Sequence, residues 1–395
     1  MEINWFIPTG GTDGRYLGTT IGSRVADLDY LEQIARAADN LGYAGVLLPT
    51  GRWCDDAWLI AARLAAVTKQ LRFIVAFRPG LISPALAARQ AATFDRISNG
   101  RLVVNIVTGG SDADTAADGL QVKHDERYEI TDEFLTIYRQ LLGHSNEDFT
   151  FEGKHLKVVN GRNVFPPVQK PFPPIYFGGS SDAGQRTAAK HADVYLTWGE
   201  PPDQVAQQIA TVRRYAEEAG HPIRFGIRLH IIARETTSQA WDAANELIQY
   251  LDDKSIAAAQ QQFGSTQAVG QHRMQALHRG RRDQLEVSPN LWAGIGLVRG
   301  GAGTALVGDP DVIVERMMEY VELGIETLSS PATRTWRKPT GRRNWSSPNC
   351  QKISLPIRPN RGSLCMAVAA PLATTAMSAR SLRQTAGRRC GARIT

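Results

Sequence analysis

The sequence predicts an α/β protein folded as a (β/α)₈ TIM barrel with insertions, and three observations predict it. Over the first 326 residues, short apolar or β-branched runs alternate strictly with amphipathic helical runs. That alternation implies parallel strands wrapped by helices. Eight such strand signals occur, and eight βα units close into a barrel rather than an open sheet. A doubly wound sheet is the competing architecture.

The elements follow in order. Ile3–Pro8 reads as a strand. Asp27–Leu41 reads as a helix with Leu28, Leu31, Ile34, Ala35 and Ala38 on one face. Gly45–Pro49, Leu71–Arg78 and Arg101–Thr108 read as strands, followed by helices over Asp56–Val67, Pro84–Ile97 and Glu126–Leu142. Pro174–Phe177 and Asp193–Trp198 are the next strands, with helices from Asp182 and over Pro202–Ala219. Arg224–Ala233 is the seventh strand, before a helix over Ser238–Leu251. Pro310–Leu323 is a further helix, and Ile325 opens an eighth strand.

Two insertions interrupt the alternation. Phe149–Val164 alternates around a glycine and predicts a hairpin. Asp252–Asn290 is polar, rich in Gln, Arg and His, and too long for a connecting loop. It predicts a mobile lid over the site.

Charge divides the chain at its end. Residues 327–395 hold 13 of the 45 Lys and Arg and none of the 39 Asp and Glu. Residues 1–326 therefore carry 32 basic against 39 acidic residues, a net charge of −7. The body has no basic stripe with interleaved aromatics, which argues against nucleic-acid binding. No run of 18 apolar residues and no secretory leader pattern occurs, so a cytoplasmic protein is expected. The four cysteines have the spacing of neither a disulfide framework nor a zinc site.

In a barrel of this kind the site gathers at the C-terminal ends of the strands. Those ends carry Cys54, Thr108, Ser180, Ser181, Trp198, Arg228 and His230, and a later segment carries Arg299. The set holds no carboxylate pair and no metal cluster. Fixed guanidinium cations suit an anionic ligand. Gly178-Gly179-Ser180-Ser181-Asp182 opens a helix, where backbone N–H groups and hydroxyls offer a phosphate seat. Each residue also has a plainer reading. Ser181 fits an ordinary N-cap, Cys54 a small buried hydrophobe and Trp198 core packing. Arg228 and Arg299 fit ion pairs on the barrel rim, His230 a structural histidine, and His124 with Tyr128 a surface pair.

Several segments resemble one family closely. FIPTGGTDGRYLGT, YAGVLLPTGRWCDDAWL, SPALAARQAATFDRISNGR, PIYFGGSSDAG, YLTWGEPP, RFGIRLHIIARE and SPNLWAGIGLVRGGAGTALVGDP are similar to the two-component, FMNH₂-dependent alkanesulfonate monooxygenases of the bacterial luciferase superfamily. The resemblance runs from about residue 3 to about residue 326. It implies that reduced FMN comes from a separate NAD(P)H-dependent reductase, reacts with O₂, and oxygenates an alkanesulfonate to an aldehyde and sulfite. It implies functional roles for Cys54, Trp198, Arg228, His230 and Arg299. Arg228 and Arg299 would clamp the sulfonate and the oxygenated flavin, His230 would orient that group or move a proton, and Cys54 would line the flavin face. Thr108, His124, Tyr128, Ser180 and Ser181 would hold FMN. The family also suggests a homotetramer. Related readings are a luciferase-like enzyme acting on another sulfonate and an inactive, truncated barrel.

The chain departs from this pattern twice. Gly10-Gly11 stands where the family usually has a histidine. After Ser330 the family continues Gly-Tyr-Pro-His-Leu-Glu-Glu-Ala-Tyr, whereas this chain reads Pro331 to Thr340 as PATRTWRKPT. Codons for those ten residues, read two bases later, can spell the family's phrase. A shifted reading frame therefore accounts for the acid-free tail, whose composition suits disorder. On this reading the last strand and helix are disrupted, leaving two unpaired barrel edges.

Overall fold

The computed structural model describes residues 1–10 and 12–330. Eight parallel strands close into a barrel: β1 (Glu2–Phe6), β2 (Gly45–Leu48), β3 (Arg72–Phe77), β4 (Leu102–Ile106), β5 (Ile175–Phe177), β6 (Val194–Trp198), β7 (Arg224–Arg228) and β8 (Ile325–Ser329). Ring helices follow: α1 (Leu28–Asn40), α2 (Ala57–Ala65), α3 (Pro84–Ile97), α4 (His124–Gly143), α5 (Asp182–His191), α6 (Pro202–Ala219) and α7 (Pro310–Glu322). Local chemistry starts most of them. Asp27, Asp56, Ser83, Ser181 and Asp309 each accept a backbone N–H from the first helical turn, and Pro84, Pro202 and Pro310 add a fixed φ there.

The eighth strand corrects the expectation of disruption. Ile325–Ser329 is complete and pairs on both sides: Asn4 faces Ser329 on β1, and Arg228 faces Ser329 on β7. The barrel therefore has no open edges, and its body extends past residue 326. The shifted-frame reading of Pro331 to Asn349, and the rest of the basic tail, lie outside the described residues.

Strand pleating divides the side chains. Phe6, Leu47, Ile74, Val103, Tyr176 and Leu196 point inward and fill the barrel with an apolar floor. Outward residues such as Phe73, Val75, Val104 and Ile227 pack under the helices. Each such burial stabilises by roughly 1.5–3 kcal/mol. Gly226 belongs to this floor for lack of room. A Cβ there would lie 2.7 Å from Leu196 Cδ2.

The seventh strand also differs from expectation. Arg224–Ala233 divides at Leu229, leaving β7 in the barrel while His230–Ala233 leaves it. That second piece runs parallel to Ala305–Gly308 in a separate four-stranded sheet, with Leu291–Trp292 and Glu286–Ser288 beyond. Residues 230–308 thus form one insertion before α7, with its own core of Ile232, Leu247, Trp292, Ile295, Leu297 and Val307. Within it, the segment read from sequence as a polar lid folds as two helices, Asp253–Gly264 and Val269–His278. The Phe149–Val164 hairpin forms as expected, from Phe149–Glu152 and Lys157–Gly161. On α1, Leu31, Ala35 and Ala38 are buried, but Leu28 is exposed. No helix of the described residues is long and apolar enough to cross a membrane.

Asp132 ties α4 to α5. Its carboxylate accepts from His191 Nε2 at 2.6 Å and from Lys190 Nζ at 2.8 Å. Burial alone would push its pKa up, but these two donors hold it at about 2. A carboxyl held below its unfolded value stabilises the fold above pH ~4, and that contribution fades as pH falls toward ~2. Asp132→Asn is expected to cost on the order of 1–2 kcal/mol at neutral pH, after screening of this partly exposed group. The difference from wild type should shrink in urea melts taken at progressively lower pH.

Candidate functional site

Above the apolar floor, inward positions at the strand C-termini turn polar. In β6, β7 and β8 the inward series ends in Trp198, Arg228 and Ser329, which stand side by side in register. Ser329 is buried, and its hydroxyl has no hydrogen-bond partner among the described residues. Loss of water, together with the nearby charge of Arg299, lowers the Arg228 pKa to about 10. Among the described residues the buried Nε of Arg228 finds no acceptor. A desolvated cation held beside a second cation is costly by itself, and an anion between the two would offset that cost.

Arg299 and Cys54 extend this group. Cys54 follows the turn after β2 and is partly buried. Burial pushes its thiol pKa up, while the Thr9 hydroxyl and the charges of Arg78 and Arg299 pull it back. The charge of Arg299 thus reaches both Cys54, after β2, and Arg228, on β7. His230 is fully buried in the insertion's sheet. Its backbone N–H donates to Thr304 O at 3.1 Å, and its Nε2 lies 3.1 Å from Ala302 O. A carbonyl can only accept, so Nε2 carries the proton. These bonds brace the loop that carries Arg299.

A second group forms at the start of α5. Ser181 caps the helix, accepting from Gly184 N at 3.2 Å. The plainer reading of Ser181 is therefore correct for the helix, though it leaves the hydroxyl at the mouth. Tyr128, buried on α4, brings its hydroxyl to the same turn, 3.4 Å from where a Cβ on Gly179 would lie and 3.0 Å from one on Gly184. His124 stacks edge-on against Tyr128 at 5.1 Å and pairs with Asp125. Asp182 in the first turn would repel an anion, but its charge is engaged by Tyr215 and Arg186. Thr108, buried at the end of β4, lies on the wall between this seat and Cys54.

The insertion covers the mouth and joins the two groups. A Cβ on Gly270 would lie 3.1 Å from Trp198 and 3.2 Å from Ser180 Oγ. Gln267 N donates to Gly110 O, and Gln271 Oε1 accepts from Gly301 N. Arg273 forks onto Glu200, a buried carboxylate two residues past Trp198. Sequence reading missed Ser329, Glu200 and Arg273. Ser329 stood in what read as tail, and nothing local marks an ion pair whose partners are 73 residues apart.

The cost of the unpaired cation can be measured. Arg228→Met fills similar volume and removes the charge. Replacing a part-buried, uncompensated cation this way is expected to stabilise the ligand-free protein by on the order of 1 kcal/mol. A higher denaturation midpoint in urea at low ionic strength would show it.

The family described as luciferase-like monooxygenase matches residues 1–327. Among solved structures, the chain resembles riboflavin lyase RcaE, solved with modified FMN and riboflavin, at 19% identity over 85% of this chain and 88% of that one, with a TM-score of 0.71. It resembles long-chain alkane monooxygenase LadA at 20% identity over 84% of this chain and 86% of that one, TM-score 0.66. The EDTA monooxygenase EmoA from Chelativorans sp. BNC1 gives 19% identity, 84% and 89% coverage, and a TM-score of 0.66. At these identities the structural likeness speaks to the shared barrel alone, whereas the family match spans nearly all of it. The chain belongs to the luciferase-like monooxygenase family.

Proposed function

We propose that this protein is an FMNH₂-dependent alkanesulfonate monooxygenase, acting as a homotetramer and supplied with reduced FMN by a separate NAD(P)H-dependent reductase. The balanced reaction takes an alkanesulfonate, O₂ and FMNH₂ to an aldehyde, sulfite, FMN and water. One observation carries the substrate class: Arg228 is held away from water, its buried Nε finds no acceptor among the described residues, and it feels the like charge of Arg299. A sulfonate presents oxygens that a pair of guanidinium forks can share. The quoted sequence segments support the reductase and the oligomer.

The residues present fit FMN. The start of α5 offers N–H groups, the hydroxyls of Ser180 and Ser181, and the Tyr128 hydroxyl against a glycine turn. That donor set suits a phosphate. RcaE was solved with modified FMN, and the diketocamphane monooxygenase that shares the fold with FMN. When bound, reduced flavin supplies the electrons that activate O₂.

The chain's own residues do the rest. Thr108, His124, Tyr128, Ser180 and Ser181 would hold FMN. Arg228 and Arg299 bind and orient the sulfonate. Trp198 walls the site and, with the helix Val269–His278 above it, excludes water. The insertion acts as the lid, and it must lift for substrate to enter. His230 keeps a proton on Nε2 and holds the Arg299 loop in place. Cys54 stays a neutral thiol because its pKa is raised.

Sulfite release from octanesulfonate, with FMN, a reductase, NADH and O₂, tests the reading. Arg228→Met and Arg299→Met are each expected to lower kcat/KM about a hundredfold, on the order of 3 kcal/mol. Tyr128→Phe should weaken FMN several-fold and leave octanesulfonate affinity in place. The assay is run on the chain as it stands and on a chain whose reading frame is restored after Ser330. Binding of reduced FMN with no sulfite from either chain, over a series of alkyl lengths, sinks the substrate class.

A further inference from the structure

Arg78 follows the last residue of β3, on the inward face of that strand with Ile74 and Ala76. Its side chain is only 10% exposed. One amino group donates to Asp118 Oδ2 at 2.8 Å, across the loop after β4. Its Nε is buried and finds no acceptor. Glycines make room around it. Cβ atoms on Gly51 and Gly109 would lie 3.5 Å from NH2 and 3.9 Å from Nε. A buried N–H without an acceptor is expensive, so a third cation has been held at the mouth with one donor unmet.

The barrel order says what that donor faces. β3 stands diametrically opposite β7, so Arg78 and Arg228 flank the mouth from opposite walls. The ends of β3, β4 and β5 form one continuous arc carrying Arg78, Thr108 and the α5 turn. That arc contains the phosphate seat. Arg228 stands on the other side, and the charge of Arg299 reaches it there. A ligand whose phosphate sits at α5 can extend along this arc to Arg78, which leaves the β7 wall to the second anion. Reduced flavin ionises at its ring near neutral pH, whereas the oxidised ring is neutral there.

We propose that Arg78, anchored by Asp118, is a flavin-binding residue that selects the anionic, reduced form of the cofactor. The inference rests on the proposed function. It goes further by separating the three guanidinium groups into one for the flavin ring and two for the sulfonate.

The test is an anaerobic fluorescence titration of the full chain with photoreduced FMN and with oxidised FMN. Arg78→Met should weaken reduced FMN at least tenfold and oxidised FMN less than threefold. Wild-type preference for reduced FMN should grow as pH rises through neutrality, and the variant should lose that slope. Asp118→Asn keeps the cation but frees it, and should lower reduced-FMN affinity to an intermediate degree. It covers the case in which Arg78→Met fails to fold, judged by circular dichroism. Equal effects on both redox forms, no effect on either, or a loss confined to octanesulfonate each overturn the assignment. A wild-type chain that binds neither FMN form sinks the proposed function instead.

Discussion

Closure of the barrel by β8 is the constraint on which the rest depends. Five residues, Ile325–Ser329, supply hydrogen bonds to β1 on one side and β7 on the other. A parallel barrel lacking that strand would expose two rows of unpaired N–H and C=O groups. It would also lose the wall against which Arg228 stands, because Ser329 is its neighbour in register. The apolar floor needs the same strand, through Thr327, which hydrogen-bonds Tyr176 from inside. Fold and site therefore meet in one short segment at the very end of the described chain.

The mouth built on that barrel is an arrangement of unmet needs. Most buried polar groups in a folded protein are paired. Here Arg228, Arg78 and Ser329, on three different strands or their ends, each keep a buried atom without a partner. Other buried atoms without partners lie away from the mouth, on Gln90, Arg127 and Gln208 for example, but these three stand together at the C-terminal ends of barrel strands. The seat at α5 complements them differently, through helix geometry and hydroxyls rather than fixed charge. An elongated cofactor with a phosphate at one end and a second, smaller anion beside it would satisfy both.

Much of this was legible in the chain. Seven barrel strands and the opening of the eighth follow from apolar runs separated by helical periodicity, because buried parallel strands are mostly apolar along their length. Ser83 followed by Pro84 marks the start of α3 to the residue. The strand ends also named most of the mouth, since barrel topology alone tells which end carries the site. The division of Arg224–Ala233 was not legible: both halves are apolar strands, and only the departure of His230 toward Ala305 separates them. The helical character of 252–290 was hidden by polar faces that cover the barrel instead of packing into it. Gln260 binds two carbonyls, and Arg273 binds Glu200, so polar side chains do there what apolar ones do elsewhere. The eighth strand was misjudged because an acid-free composition beginning at Thr327 masked three ordinary strand residues.

The insertion at residues 230–308 opens and closes on two strands of one sheet. His230–Ala233 and Ala305–Gly308 pair in parallel, His230 beside Ala305 and Ala233 beside Gly308, so its first and last strands brace each other next to the barrel. Such a doorway lets the intervening chain lengthen, shorten or be rebuilt without altering the spacing of any barrel strand. Because that same chain bears Arg299 and the cover over Trp198, the architecture uncouples the evolution of what is recognised from the scaffold that recognises it. Lineages could trade one roof for another while inheriting an unchanged house.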